Sequence, residues 1–440
     1  MTPDFQNHRV SVLARESYTL ESIRELKRFL YAHDVFHLQR LENGLYPAAA
    51  TVSSTSYTGY SAVWIRDNVF VMYSCYLHNE FDACNKTLRT LFTYFGRHKF
   101  KFDKIIGFPH ICHNVMQRPH VRFNGQTLDE FQQDWQHAQN DALGYFLWFS
   151  SKLIKEGVYS AEIHELELLS TFVEYFGAIC FWKDPDSGHW EEERKVSASS
   201  IGVVVASLKA FLGVLGKYKE QRMYDNIASR LVPDDLVLHL IRKGEKMLVD
   251  ILPNECIEVG KARRVDAALL FLMYPLGQIT GSQANLVLNN IKHLLQGSIG
   301  ISRYISDTFW CKNYDTMPEE IRTTISSERS EWFTGNGMLL SEGEEAQWCI
   351  FDSIISVIHA TRFELTLDRI DLEMQTLYFN RSLAQLTSDT FVLGGMKCPE
   401  LYYLHRSEYI PNDATPLLWS QANLRIAVRY MEKSLILITQ

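Results

Sequence analysis

The chain has 440 residues, 46% hydrophobic and 22% charged, the composition of a globular protein able to bury a large core. A formal net charge of −8, with no sizeable basic cluster, speaks against nucleic acid or an anionic membrane surface as partner. There is no apolar run of about 18 residues to suggest a membrane span, no secretory-type N-terminus, and no Cys-x-x-Cys pair among the eight cysteines. Reduced thiols and a cytoplasmic location are therefore expected.

Taken in chain order, the strongest patterns are helical. Residues 22–41 carry Ile23, Leu26, Phe29 and Leu30 near the 3.6-residue spacing, and 88–95 add a shorter segment. A polar connector, 97–127, follows, with His110, His113, Arg118 and His120. Residues 142–154 and 163–182 are richer in apolar side chains and read as inner helices. Residues 197–215 open on a Ser-Ala-Ser-Ser cap, and their length outweighs the β-branched run Val203-Val204-Val205. Helical patterns return at 235–252, 265–274 and 283–295. A second long polar connector, 302–345, separates them from those at 346–360, 365–386 and 417–435.

About a dozen helices and few alternating runs predict an all-α protein. Helices in such number either stack as a superhelical array of hairpins or close into a double ring. No repeat of about 30–50 residues is visible, which favours the ring. Nothing in the composition splits the chain, so residues 1–440 read as one domain, with 1–50 open to reading as an N-terminal helical extension.

Most catalytic signatures are missing: no phosphate-binding loop, no His-Glu-x-x-His, no Gly-x-Ser-x-Gly. His110-Ile111-Cys112-His113 lacks a second ligand cluster, so neither metal nor cofactor is expected. Trp64-Ile65-Arg66-Asp67 sets a guanidinium and a carboxylate beside an aromatic ring. That combination suits sugar hydroxyls and the apolar face of a pyranose, and equally an ion pair at a helix start. In Trp190-Glu191-Glu192 the acids are either helix-dipole partners or carboxyls desolvated by the tryptophan into usable proton donors. Glu408 supplies a distant carboxylate in a polar, aromatic stretch, taken alone a solvated loop residue. Inverting glycoside hydrolysis needs two carboxyls facing one pocket, one protonating the leaving oxygen and one activating water.

Together these segments resemble glycoside hydrolase family 15, the glucoamylase-like enzymes, and more closely the related domain of phosphorylase kinase regulatory subunits. Trp64-Ile65-Arg66-Asp67 is similar to the family's Trp-x-Arg-Asp element, and Trp135 with Gln139-Asn140-Asp141 to its Trp and Gln-Asn-Asp motif. Trp190-Glu191-Glu192 resembles its Trp-Glu-Glu, Arg303-Tyr304 its Arg-Tyr loop, and Glu345-Ala346-Gln347-Trp348 its aromatic segment before a helix. Glu400-Leu401-Tyr402 resembles a Glu-x-Tyr motif, with Glu408 eight residues later as the general base. The resemblance implies an (α/α)6 barrel with Glu191 as general acid and Glu408 as general base. Substrate contacts would come from Trp64, Arg66, Asp67, Trp135, Asp141, Trp190, Glu192, Arg303 and Trp348. The expected activity is inverting, exo-acting release of glucose from α-glucans or oligosaccharides. The other implied reading is a glucan-binding regulatory protein with weak or no turnover.

Overall fold

A computed structural model of the chain describes residues 3–50, 59–220, 228–323, 325–338 and 340–439. The helices are α1 (His8–Ser11), α2 (Leu20–Ala32), α3 (Ile65–Leu77), α4 (Phe81–Arg97), α5 (Lys99–Gly107), α6 (Asn140–Glu156), α7 (Ile163–Ala178) and α8 (Ala198–Glu220). They continue as α9 (Asp234–Ile251), α10 (Leu270–Met273), α11 (Gly281–Leu294), α12 (Ser326–Gly335), α13 (Phe351–Thr366), α14 (Arg369–Ala384) and α15 (Leu418–Thr439).

Six of them close a ring by successive contacts: α3 on α6, α6 on α8, α8 on α10, α10 on α13, α13 on α15, and α15 back on α3. An outer helix packs against each: α4 on α3, α7 on α6, α9 on α8, α11 on α10, α14 on α13 and α2 on α15. The result is an (α/α)6 barrel, in which inner and outer helices alternate along the chain. Residues 20–32 therefore belong to the outer ring.

Burial follows the two layers. Outer helices bury one stripe, as Ile23, Leu26 and Leu30 of α2 do. Inner helices bury every side: α3 is enclosed from Ile65 to Cys75, α13 from Phe351 to Ala360. The same enclosure accounts for α8, whose apolar length alone would suffice to cross a membrane but which packs against α6, α7 and α9. Close approach of α6 to α8 depends on Gly144, where a Cβ would lie 2.9 Å from Val203 Cγ1 and 3.3 Å from its backbone carbon.

Several boundaries differ from the sequence expectation. The first predicted helix stops at Ala32, and α3 extends to Leu77 from the Arg66-Asp67 pair, where the sequence pattern marks only a possible helix start. An all-round apolar helix carries no amphipathic period, which is why it escapes a periodicity test. The connector 97–127 contains α5 and two 3-10 turns, and 302–345 contains α12. Two small sheets complete the fold: β1 (Val63–Trp64) with β2 (Arg122–Phe123), and β3 (Gln347–Trp348) with β4 (Leu401–His405) and β5 (Glu408–Pro411).

Because each outer helix returns the chain, the inner helices all begin at the same end of the barrel. The first turns of α3, α6 and α15 bring Arg66 and Asp67, Asp141, and Trp419 to that end. The short strands and the turn before α8 lie there too. Converging N-termini give that end a positive backbone potential, which suits a cluster of carboxylates.

Candidate active site

A cavity of about 480 Å³ opens at this end, lined at its base by Arg66, Asp67 and Trp419. Its entrance carries Gln133, Asp134 and Arg322, all exposed. Of the expected site residues, Trp64, Arg66, Asp67, Trp135, Trp190, Glu191, Glu192, Arg303 and Trp348 all line it.

The N-terminus of α3 is fixed by Asn68. Its Nδ2 donates to the carbonyls of Tyr46 (2.8 Å) and Trp64 (2.9 Å), and its Oδ1 accepts from Tyr46 N (2.9 Å). Arg66 then reaches two carboxylates, donating through Nη1 to Asp141 Oδ2 (2.8 Å) and through Nη2 to Glu191 Oε1 (3.0 Å). Asp141 is wholly buried behind Arg66 and does not line the cavity, so the expected direct substrate contact is corrected: it holds the arginine. Burial pushes the Asp67 carboxyl up to about 7 against the pull of Arg66.

The acidic pair is split by a backbone turn. Gly188–Trp190 form a 3-10 turn, and Glu191 follows in the left-handed region at φ 59°. For a non-glycine residue this costs about 1–2 kcal/mol, and it sends the two glutamates to different partners. Glu191 Oε2 accepts from Trp135 Nε1 at 2.9 Å. Burial raises its proton affinity, opposed by Arg66, by Arg122 and by the Trp135 N–H. Glu192 instead accepts from Arg303 (2.9 Å), Arg329 (2.8 Å) and Tyr304 Oη (2.6 Å). Burial disfavours its charge, but Arg303, Arg329 and Arg263 outweigh that and hold the carboxyl at about 2. Glu192 is thus a fixed anion, while Glu191 is a carboxyl whose protonation can change.

Aromatic walls complete the cavity. Trp64 and Trp135 meet edge to face at 6.3 Å on one side. Opposite them, Trp190 lies 5.9 Å from Trp348, and Phe309 stacks on Trp348 at 6.0 Å. Trp190 is held by a 2.9 Å hydrogen bond from its Nε1 to Asp266 Oδ1.

The second carboxylate is where the sequence expectation fails. Glu408 is exposed, opens β5, and pairs with His405 beside the Arg406-Ser407 turn. That is four residues along β4 from Leu401, roughly 13 Å by strand rise, and outside the cavity. Glu400 lines the cavity instead, buried at the entry to β4, accepting from Tyr60 Oη (2.7 Å) and Asn412 Nδ2 (2.6 Å). Burial lifts it to about 7, the hydroxyl and amide partly opposing, and it senses the charge of Glu191. The turn residues between two β-forming runs, Leu401–His405 and Glu408–Pro411, were the sequence signal that Glu408 sits at a hairpin end.

Sequence reasoning also missed Arg329, brought in by α12, and Arg122 on β2. Glu193 clasps the start of α12, accepting from Ser326 Oγ (3.0 Å), Ser327 N (3.0 Å) and Ser327 Oγ (2.9 Å). The connector 302–345 therefore forms part of the cavity wall. In the other connector, His110 and His113 are exposed while Cys112 is buried, and Arg118 pairs with Asp184. Among the described residues no group of three or more potential ligands is placed to hold a metal.

The fold is an (α/α)6 barrel with a carboxylate-lined cavity at the N-termini of its inner ring. The sequence profile of glycosyl hydrolases family 15 matches residues 30–234, so the resemblance to that family holds in sequence over nearly half the chain. In three dimensions the barrel is similar to a wild-type glycosidase (17% identity, TM-score 0.63, covering 94% of this chain and 97% of that one). It is equally similar to a glycosidase glutamate-to-alanine variant in complex with glucose (17%, 0.63, 95% and 98%). The glucoamylase from Saccharomycopsis fibuligera matches at 13% identity, with a TM-score of 0.60 and coverage of 96% and 97%. No curated protein sequence matches the chain.

Proposed function

We propose that this chain is an inverting, exo-acting glycoside hydrolase that releases glucose from the non-reducing end of α-glucans or oligosaccharides. The observation that carries the reading is the pair of buried carboxyls, Glu191 and Glu400, lining one cavity while hydrogen-bonded to different partners. Glu191, desolvated and with its proton affinity raised, acts as general acid on the glycosidic oxygen. Glu400, and not Glu408, acts as general base on water. Arg66 and Asp67 at the base of the cavity grip the terminal sugar, and Arg303 with the fixed anion Glu192 contacts the next unit. The tryptophans cover the sugar faces.

A cavity closed at its base by the inner helices supports attack on a chain end rather than the chain interior. No cofactor takes part. The unpaired state of all eight cysteines supports a cytoplasmic location within the same proposal.

The test is glucose release from maltose, maltotriose and soluble starch by the wild type and by E191Q. Turnover by the wild type and its loss in E191Q are expected. Maltose binding without any turnover would instead establish a sugar-binding protein, and undiminished turnover by E191Q would remove Glu191 from the acid role.

A further inference from the structure

The buried cations of the cavity differ in one respect. Arg66, Arg303 and Arg329 each make an ion pair with a carboxylate. Arg122 is also buried, at 7% exposure, yet no described carboxylate forms an ion pair with it. Among the described residues its Nε has no hydrogen-bond partner, and Nη1 donates to the Gln133 amide oxygen at 3.3 Å. A buried guanidinium left so poorly compensated is costly, and such sites are usually functional.

What Arg122 does contact is aromatic. Its Cζ lies 4.2 Å from the centre of the Trp135 ring, 5.0 Å from Trp64 and 5.1 Å from Phe131. The register of the first small sheet pairs Arg122 with Trp64, which fixes the guanidinium against the cavity wall. Trp135, pressed by that guanidinium, is the residue whose indole N–H donates to Glu191. The guanidinium thus reaches Glu191 by two routes, through the Trp135 ring and through the field of its charge.

Resting on the hydrolase reading above, we propose that Arg122 is a positioning residue for the general acid, clamping Trp135 against Glu191 and serving as the unpaired positive charge that stabilises the carboxylate left after proton donation. A positive charge held near, but not on, the acid favours ionisation without committing a hydrogen bond to it. One Glu191 oxygen then remains free to exchange its Arg66 contact for the glycosidic oxygen.

The groups facing Glu191 bear on its titration from several elements. Arg66 and Asp67 come from α3, Asp141 from the start of α6, Arg122 from β2, and Glu400 and Tyr60 from across the cavity. Replacing Arg122 by an uncharged residue removes one of the two cations opposing protonation and leaves the rest in place.

The experiment follows the Trp135 indole N–H by NMR against pH in protein labelled with 15N-tryptophan, the resonance being assigned by its absence in W135F. The wild type, R122K, R122M and R122Q are compared. Methionine keeps an alkyl arm between the rings, so it covers the case in which glutamine prevents folding. The titration midpoint is expected to move up by about 0.5 pH unit or more in R122M and R122Q and to stay near the wild-type value in R122K. The alkaline limb of kcat/KM should move by the same amount. A wild-type midpoint in the uncharged variants would overturn the proposal, as would an R122K midpoint displaced as far as that of R122M. If no variant and no wild-type protein turns over substrate, the hydrolase reading fails on its own, while the titration still decides whether Arg122 governs Glu191.

Discussion

Arg66 bridges Asp141 and Glu191 at 2.8 Å and 3.0 Å, tying a carboxylate that never meets the cavity to one that lines it. Without the arginine, Asp141 would be a fully buried charge beside an imidazole, His189, whose proton affinity burial has lowered to about 4. R66M is therefore predicted to lose about 3–5 kcal/mol of stability, the range for breaking a buried ion pair on one side. D141N, which keeps an acceptor oxygen, should lose less. Urea midpoints at neutral pH check both.

Glu400 makes a pH-dependent prediction whose sign is fixed by its raised proton affinity. An ordinary glutamate ionises near 4.5, whereas the folded protein holds this one to about 7. Between those values the folded state binds more protons than the unfolded state, so stability from this group is complete below about 4.5 and is lost as pH rises through 7. E400Q removes the cost of burying the charge. It should unfold at a higher temperature than the wild type at pH 7.5, by an amount worth roughly 1–3 kcal/mol, and show a smaller gain at pH 4.5.

The clasp between Glu193 and α12 predicts a local effect. E193A leaves the barrel intact but frees the first turn of α12, and with it Arg329. Amide hydrogen exchange over 326–335 should accelerate while α3 and α8 stay protected. Because Arg329 helps fix the Glu192 anion on the cavity wall, KM should rise more than kcat falls.

Exchanging the two candidate bases separates the sequence reading from the structural one. E408Q should turn over substrate as the wild type does. E400Q should lose about 10²–10⁴-fold in kcat, the usual contribution of a positioned acid or base. Initial rates on maltose and maltotriose decide it.

Much of this was legible in the sequence because the informative side chains stand at helix entries. Trp64, Arg66 and Asp67 lead into α3, and Glu191 with Glu192 precede α8, so each motif marks the same end of the barrel. Of α3 only the start was legible, since burial on all sides erases the period that amphipathic α2 displays. The choice between Glu400 and Glu408 depended on reading Arg406-Ser407 as a hairpin turn, which swings Glu408 to the far end of β4. Arg122 and Arg329 carry no local signal of their own. Their roles come from contacts across 13 to 137 residues of sequence, set by a strand register and by the seating of a ten-residue helix.

The most direct test of the central claim is the anomeric form of the first product. Proton NMR of freshly mixed enzyme and maltose follows the anomeric signals before mutarotation blurs them. β-Glucose is expected to appear first, with no product from E191Q and scarcely any from E400Q. Release of α-glucose, or β-glucose formed as fast by E400Q as by the wild type, would contradict the central claim.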